Sequence, residues 1–407
     1  MIIKTISEAT TSTQKNVNST FLIIFKSLFA LDFWRKPKAS KYMIVMPGGA
    51  QELFDNNIVP QKETFVLDLV QYKWLNFYIL LNGLIFRREL LFKNNYLFIA
   101  LSYIHVLNPK YVITWMDYQV NFYWLKAYKK NPIYISLQTG RRSNEPGYFF
   151  DLLQTENYSG LSCDFIFCMG DAHAKEYMKY IKCKAIPSGL VRNNMMPIGS
   201  EKKISNEILY LSQYRSLSKL ASKDNYTSYK DKVISHDTFF KVEKILLPLL
   251  VNFCKYKSLK LNILSPVASN EKEEEIFYDN LIGIDNYNFI KHQDSTSGYK
   301  AVDSFEFIVG VNSTLNYELL ARNPNRAVFF DCRGKYCGIP FDTFGFPLDI
   351  DPKGPFWTNE ITESEFERLM NFLIDGSSDK WLECTDFIGK KLTSYDNDNS
   401  LLRGVLK

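Results

Sequence analysis

The segment Phe307-Ile-Val-Gly-Val-Asn-Ser-Thr-Leu-Asn-Tyr-Glu-Leu-Leu-Ala-Arg322 shows its chemistry most plainly. An apolar strand reaches Val311, and Asn312, Ser313 and Thr314 fall where the next helix must begin. A helix start offers unpaired N–H groups and partial positive charge, and two hydroxyls add donors, so these residues suit a phosphate. Glu318 follows Thr314 by one turn on the same face, placed to accept hydrogen bonds from ribose hydroxyls. The plainer alternative is an ordinary Ser/Thr cap with Glu318 on the surface.

A second polar loop, Leu211-Ser-Gln-Tyr-Arg215, closes another strand. Ser212, Gln213 and the Arg215 guanidinium suit a diphosphate or carboxylate. His292, with Ser295, Ser297 and Tyr299 after it, precedes the Phe307 strand by one helix and belongs at the same edge. In the first half of the chain, Asp117 and the run Gln138-Thr-Gly-Arg-Arg142 end neighbouring strands. Arg141 and Arg142 are candidates to hold an acidic acceptor, while Asp117 or Glu145 would be the general base. Asp117, Gln138 and Glu145 are thus the candidate catalytic side chains. Asp349-Ile-Asp351 has the look of a metal-binding pair, but it sits late, in a Pro/Gly loop, and reads as loop chemistry. There is no Walker loop and no Gly-x-Gly-x-x-Gly, which disfavours ATPase and dinucleotide readings.

These side chains need elements to hold them. Short β-rich runs alternate with helical stretches: Tyr42 to Met46, Thr64 to Leu69, Tyr111 to Trp115, Ile133 to Leu137, Phe165 to Met169. The apolar stretch Leu75 to Phe86 reads as a buried helix. After a polar linker at 197–206 the alternation restarts with Ile208 to Leu211, Leu259 to Leu264, Phe289-Ile290, Phe307 to Val311 and Ala327 to Phe330. This predicts an α/β chain of two facing, doubly wound parallel-sheet domains with an inter-domain cleft. Residues 1–40 form an N-terminal helical extension, 41–200 and 201–375 the two domains, and 376–407 a C-terminal tail. Ligands of such sheets bind beyond the carboxyl ends of the strands.

Composition sets outer limits. The 407 residues are 46% hydrophobic and 15% aromatic, which excludes disorder. A net charge of +5 is too mild to argue for nucleic acid. Seven cysteines without a Cys-x-x-Cys pair and four scattered histidines argue for reduced thiols in a cytoplasmic protein, without metal or cofactor. The stretch Phe21 to Trp34 is too short to span a bilayer, and Arg35, Lys36, Lys38 and Lys41 follow it. Beside those basic residues it could rest on the inner face of the plasma membrane; a helix covering a core is the simpler reading.

Several runs carry a resemblance: Ile135-Ser-Leu-Gln-Thr-Gly-Arg-Arg142, Pro187-Ser-Gly-Leu-Val-Arg-Asn-Asn194, Ile208-Leu-Tyr-Leu-Ser-Gln-Tyr-Arg215, Gly310-Val-Asn-Ser-Thr-Leu-Asn-Tyr-Glu318 and Lys353-Gly-Pro-Phe-Trp-Thr-Asn359. In order, over about residues 110 to 375, the chain resembles a family of bacterial surface-carbohydrate (O-antigen or capsule) biosynthesis proteins, generally regarded as GT-B glycosyltransferases. The resemblance implies a metal-independent transferase moving a sugar, an acidic Kdo- or nonulosonate-type sugar among the candidates, from a nucleotide-sugar to a surface polysaccharide or lipid-linked acceptor. It places Ser313 and Thr314 at the donor phosphate and Glu318 at ribose or sugar. His292 matches the phosphate-binding His of sialyl- and Kdo-transferases, but Gln293 stands where Pro is usual, which speaks against a CMP-sugar. Gln138-Thr139-Gly140 replaces the usual Gln-Asn-Gly or Gln-His-Gly. A nucleotide-sugar epimerase of the same architecture and a non-catalytic carbohydrate-binding subunit are the alternatives.

Overall fold

The computed structural model describes residues 34, 37–45, 48–68, 76–143, 149–156, 158–199, 203–214, 227–229, 232–266, 270–294, 296–322, 326–338 and 343–407. The expected N-terminal extension therefore lies largely outside the described residues, as do Glu145, Arg215 and Ser295.

Runs rich in Val, Ile, Tyr and Phe make six parallel strands in the first half: β1 (Tyr42–Val45), β2 (Thr64–Leu67), β3 (Tyr111–Thr114), β4 (Ile133–Leu137), β5 (Ser162–Cys168) and β6 (Lys182–Pro187). Their order is β2-β1-β3-β4-β5-β6. β1 and β3 are buried at every position, as strands covered by helices on both faces must be. The second half restarts with β7 (Ile204–Leu211), a small hairpin of β8 (Thr227–Tyr229) and β9 (Lys232–Ile234), then β10 (Lys260–Leu264), β11 (Asn288–Ile290), β12 (Phe305–Gly310), β13 (Arg326–Phe330) and β14 (Trp357–Thr358). Leaving out the hairpin, these form a second parallel sheet ordered β11-β10-β7-β12-β13-β14. Renumbered from its own first strand this is 3-2-1-4-5-6, the dinucleotide-fold order, which reverses between β7 and β12. The molecule is thus built from two Rossmann-like α/β domains.

Residues 376–407, expected as a tail, are structural. The helix Ser378–Leu392 buries Trp381 and Leu392 against the C-terminal core. The chain then crosses to the first domain: Ser394 N donates to Met169 O at 2.7 Å, and the helix Ser400–Leu406 seats Leu402 and Leu406 in the N-terminal core. A left-handed backbone at Gly189 (φ +82°) makes the crossing possible, because a Cβ there would lie 2.1 Å from Ser394 O.

Arg322 fastens the two halves on the other strand of the junction. It is fully buried, ion-paired with Asp303, and donates to Asn193 O and Oδ1, Met196 O and Pro197 O at 2.9–3.3 Å. The linker between domains is therefore gripped by the second domain.

One element departs from expectation. The helix Phe77–Phe86 buries only Ile79 and Gly83, and Tyr78, Leu81, Leu84, Ile85 and Phe86 are exposed. Gly83 sets the close approach to the helix Asn95–Leu107, where a Cβ would lie 2.5 Å from the Phe98 ring. An apolar sequence without one polar stripe does not reveal which side finds a neighbour. Among the described residues no helix is long and apolar enough to cross a membrane.

Candidate functional site

A cavity of about 270 Å³ lies where the carboxyl ends of the two sheets face each other. The first domain lines it with Trp115 after β3, Gln138 and Thr139 after β4, and Leu190 to Arg192 after β6. The second contributes Leu211 and Ser212 at β7, Leu264 to Pro266 at β10, and His292 after β11. Ser313, Thr314, Leu315 and Glu318 follow β12. The cavity includes the crevice between β7 and β12, the point where strand order reverses and helices leave toward opposite faces.

Among the described residues, three charged or basic side chains line it: Arg192, His292 and Glu318. Glu318 is buried, and its two carboxyl oxygens accept from Tyr299 Oη at 3.0 and 3.2 Å. Burial pushes its pKa up to about 8, against the opposing pull of the Tyr299 hydrogen bond and the Arg192 and Arg322 charges. At neutral pH it is therefore predominantly a neutral acid. Arg192 reaches the wall through an ion pair with Glu52 on the helix Ala50–Asp55, with Nε 3.0 Å from Oε2.

His292 Nδ1 lies 3.0 Å from Ser265 O. A carbonyl only accepts, so Nδ1 carries the proton and Nε2 is left as the second ring atom; it is buried and meets no protein partner. The ring rests against the start of the helix Ser297–Ser304 because residue 298 is glycine, whose Cβ would stand 2.6 Å from His292 Cε1. Ser313 occupies the N-cap position of the helix Thr314–Glu318, yet its side chain makes no cap bond. Ordinary capping by Ser313 is thereby set aside. The Thr314 hydroxyl accepts from Arg141 N at 3.1 Å, so this second-domain residue already touches the other domain.

Several candidates are occupied elsewhere. Asp117 is fully buried and does not line the cavity. It accepts from Arg142 Nε at 2.7 Å, from Tyr177 Oη at 2.5 Å and from Thr139 N at 3.4 Å. A carboxylate so committed shapes the loop, and the same pairing turns Arg142 toward Asp117 and away from an acceptor. Arg141 stacks over Tyr317 at 5.4 Å, with Nη1 3.7 Å from Asp331 Oδ2 and donating to Thr343 O at 3.5 Å. It bridges domains outside the cavity lining. Gln138 lines the cavity, but its amide is spent on Gly140 O and Met169 N, both at 2.8 Å.

Ser212 takes a hydrogen bond from Tyr278 Oη at 2.7 Å and gives one to Glu274, while Gln213 Oε1 accepts from Asn312 N and Arg333 Nη2, each at 3.3 Å. Gln213 supports the β12 loop from behind. Ser297 Oγ ties Gln293 N and Asp294 N at 3.0 and 3.2 Å, fixing the turn beside His292. Tyr299, expected beside His292, lines the cavity. Tyr214, Tyr317, Phe356 and Trp357 are buried in the core. On a helix, residues next to a cavity-facing position point at the sheet instead, so Tyr317 bonds Asp331 Oδ2 at 2.9 Å. Sequence reasoning passed over Trp115, Thr139 and Arg192. Arg192 lies three residues past the Ser188-Gly189 turn, and that turn was the available signal.

A family model described as "putative O-antigen biosynthesis protein" matches residues 135–407. The chain belongs to this family. The match spans β4 to the last helix and so takes in the whole second domain. No protein of curated function matches the sequence. Among solved structures, the MnaA–UDP co-structure from S. aureus is 10% identical, with 90% of this chain and 94% of that one covered and a TM-score of 0.48. The wall teichoic acid polymerase TagF is 11% identical over 97% and 96%, TM-score 0.47. The Neisseria meningitidis UDP-GlcNAc 2-epimerase bound to UDP-GlcNAc is 10% identical over 91% and 98%, TM-score 0.44.

Proposed function

We propose that this O-antigen family member is a metal-independent glycosyltransferase that binds a nucleotide-sugar in the cavity and passes the sugar to a surface-glycan or lipid-linked acceptor entering from the N-terminal domain. One observation carries the reading. At the β7/β12 reversal point the buried, unpartnered His292 Nε2, the uncapped Ser313 hydroxyl and Glu318 line one cavity. The first two suit phosphate oxygens, His292 as a donor once protonated, and Glu318 suits vicinal hydroxyls of ribose or sugar. Arg192, held by its ion pair with Glu52, presents guanidinium N–H donors on the opposite wall, where the leaving diphosphate gathers charge. Trp115 offers an apolar face for a sugar ring.

The test is thermal shift of the full chain with CMP-, UDP- and GDP-sugars, repeated with Ser313→Ala and His292→Asn. Stabilisation by one nucleotide class, lost in both variants, supports the reading. No shift with any donor favours a non-catalytic assembly role. Epimerisation is the second reading, favoured by a carboxylic acid and a histidine sharing one cavity. Proton NMR of the bound donor class without acceptor separates the two: an epimerase produces the isomeric sugar, whereas a transferase leaves it intact.

A further inference from the structure

We propose that the face formed by the helix Phe77–Phe86 and an adjoining lysine pocket is a docking surface for an anionic phospholipid bilayer. The helix reads FYILLNGLIF, with Asn82 its one polar side chain. Leu81, Leu84, Ile85 and Phe86 are 42–61% exposed, and Phe92, in the segment that follows, is 58% exposed. Exposed apolar side chains gathered on one short helix in this way call for an occupant.

Charge selects the occupant. Arg87 and Arg88 follow the helix directly and Lys93 comes just after, against the single acid Glu89. Arg87 Nη2 donates to Tyr128 O at 3.3 Å, which brings the apolar face to the end of the helix Val120–Tyr128. Around that end lies a pocket of about 490 Å³ lined by Lys126, Lys130, Lys182 and Lys184. Asp164 pairs with Lys126, and among the described residues no ion pair takes up Lys130, Lys182 or Lys184. An apolar strip beside a basic pocket matches acyl chains beside phosphate headgroups. A second copy of the chain would set these cations against each other.

The placement is compatible with the cleft. Asn94 Nδ2 bonds Asn121 Oδ1 near the start of the helix Val120–Tyr128, and Arg87 bonds its end, so the segment runs the length of the domain's flank. The start of that helix lies just beyond the carboxyl end of β3, the end that Trp115 brings to the cavity. A bilayer along this flank reaches the rim of the cleft. The inference does not depend on which donor the cavity takes.

Flotation of the full chain with vesicles tests it, using phosphatidylcholine alone and phosphatidylcholine mixed with phosphatidylglycerol. The wild type is expected to float with the anionic vesicles. Leu81→Ser combined with Ile85→Glu should lower that binding at least tenfold, as should Lys182→Glu with Lys184→Glu, which leaves the apolar face intact. Unchanged melting of the variants keeps a loss of binding from being a loss of fold. Retention of binding in both double variants overturns the proposal, because the contact then lies elsewhere in the chain. So does a wild type that ignores anionic vesicles, or one that dimerises through this face and is made monomeric by Leu81→Ser with Ile85→Glu.

Discussion

Replacing Glu318 by glutamine preserves shape and removes the ionisable proton. In the wild type the carboxyl's pKa rises from 4.5 to about 8, because burial disfavours the anion more than Tyr299, Arg192 and Arg322 favour it. The native state therefore holds a proton that the unfolded state has released across that interval, and stability falls as pH rises through it. At ~1.4 kcal/mol per pH unit the full interval amounts to about 5 kcal/mol, present in full below pH 4.5 and lost above pH 8. Roughly 3 kcal/mol of it is already lost at pH 7 by the same arithmetic. Glutamine carries none of this dependence, and its carbonyl still accepts from Tyr299. Denaturant unfolding of both proteins from pH 5 to pH 9 is the assay. The Glu318→Gln variant should match the wild type near pH 5 and exceed it by several kcal/mol, at most about 5, at pH 9. A stability difference that stays flat over that range refutes the argument, since an exposed or already ionised carboxylate would give no slope.

Other outcomes follow from the same contacts. Asp117→Asn should destabilise the fold by up to about 3–5 kcal/mol, because it leaves the partly buried Arg142 guanidinium beside a neutral group; equilibrium unfolding reads this directly. Arg322→Met removes the grip on Asn193, Met196 and Pro197 and strands Asp303, so melting temperature should drop and the radius of gyration by small-angle scattering should rise. Gly298→Ala should push the His292 ring aside and weaken the proposed nucleotide binding, read by thermal shift or calorimetry, with little change in the melting temperature of the free protein. Ending the chain at Ser394 removes Leu402 and Leu406 from the N-terminal core, costing about 1.5–3 kcal/mol for each side chain, measured by unfolding of the truncated protein.

Much of the architecture was legible because it is local. Alternating apolar runs and polar loops located ten of the twelve strands of the two sheets, missing β6 and β14, and the polar stretch read as a linker at 197–206 overlaps β7, which begins at Ile204. The strand Phe307 to Val311 and its hydroxyl-rich exit pointed to the cavity, since a strand end followed by a helix start is chemistry within ten residues. Asp117 was read as a general base and Arg142 as an acceptor contact, and each is paired with the other. Twenty-five positions separate them in the chain, and nothing in the spacing reveals that their side chains meet. Arg141, Tyr317 and Gln213 were likewise turned to support the site from outside.

The sequence by itself determined the alternation of elements, the two-domain division and the residue types at each strand end, because hydrophobic periodicity and turn chemistry act over a few residues. Only the tertiary structure decided the order of strands, and with it the point between β7 and β12 where a crevice must open. It also decided that Glu318 is buried enough to hold its proton, that the last helix belongs to the first domain's core, and that several apolar side chains of Phe77–Phe86 are exposed. Each of these is a question of which distant surfaces meet. Burial, ion pairing and the pKa values they set exist only once those surfaces are in contact.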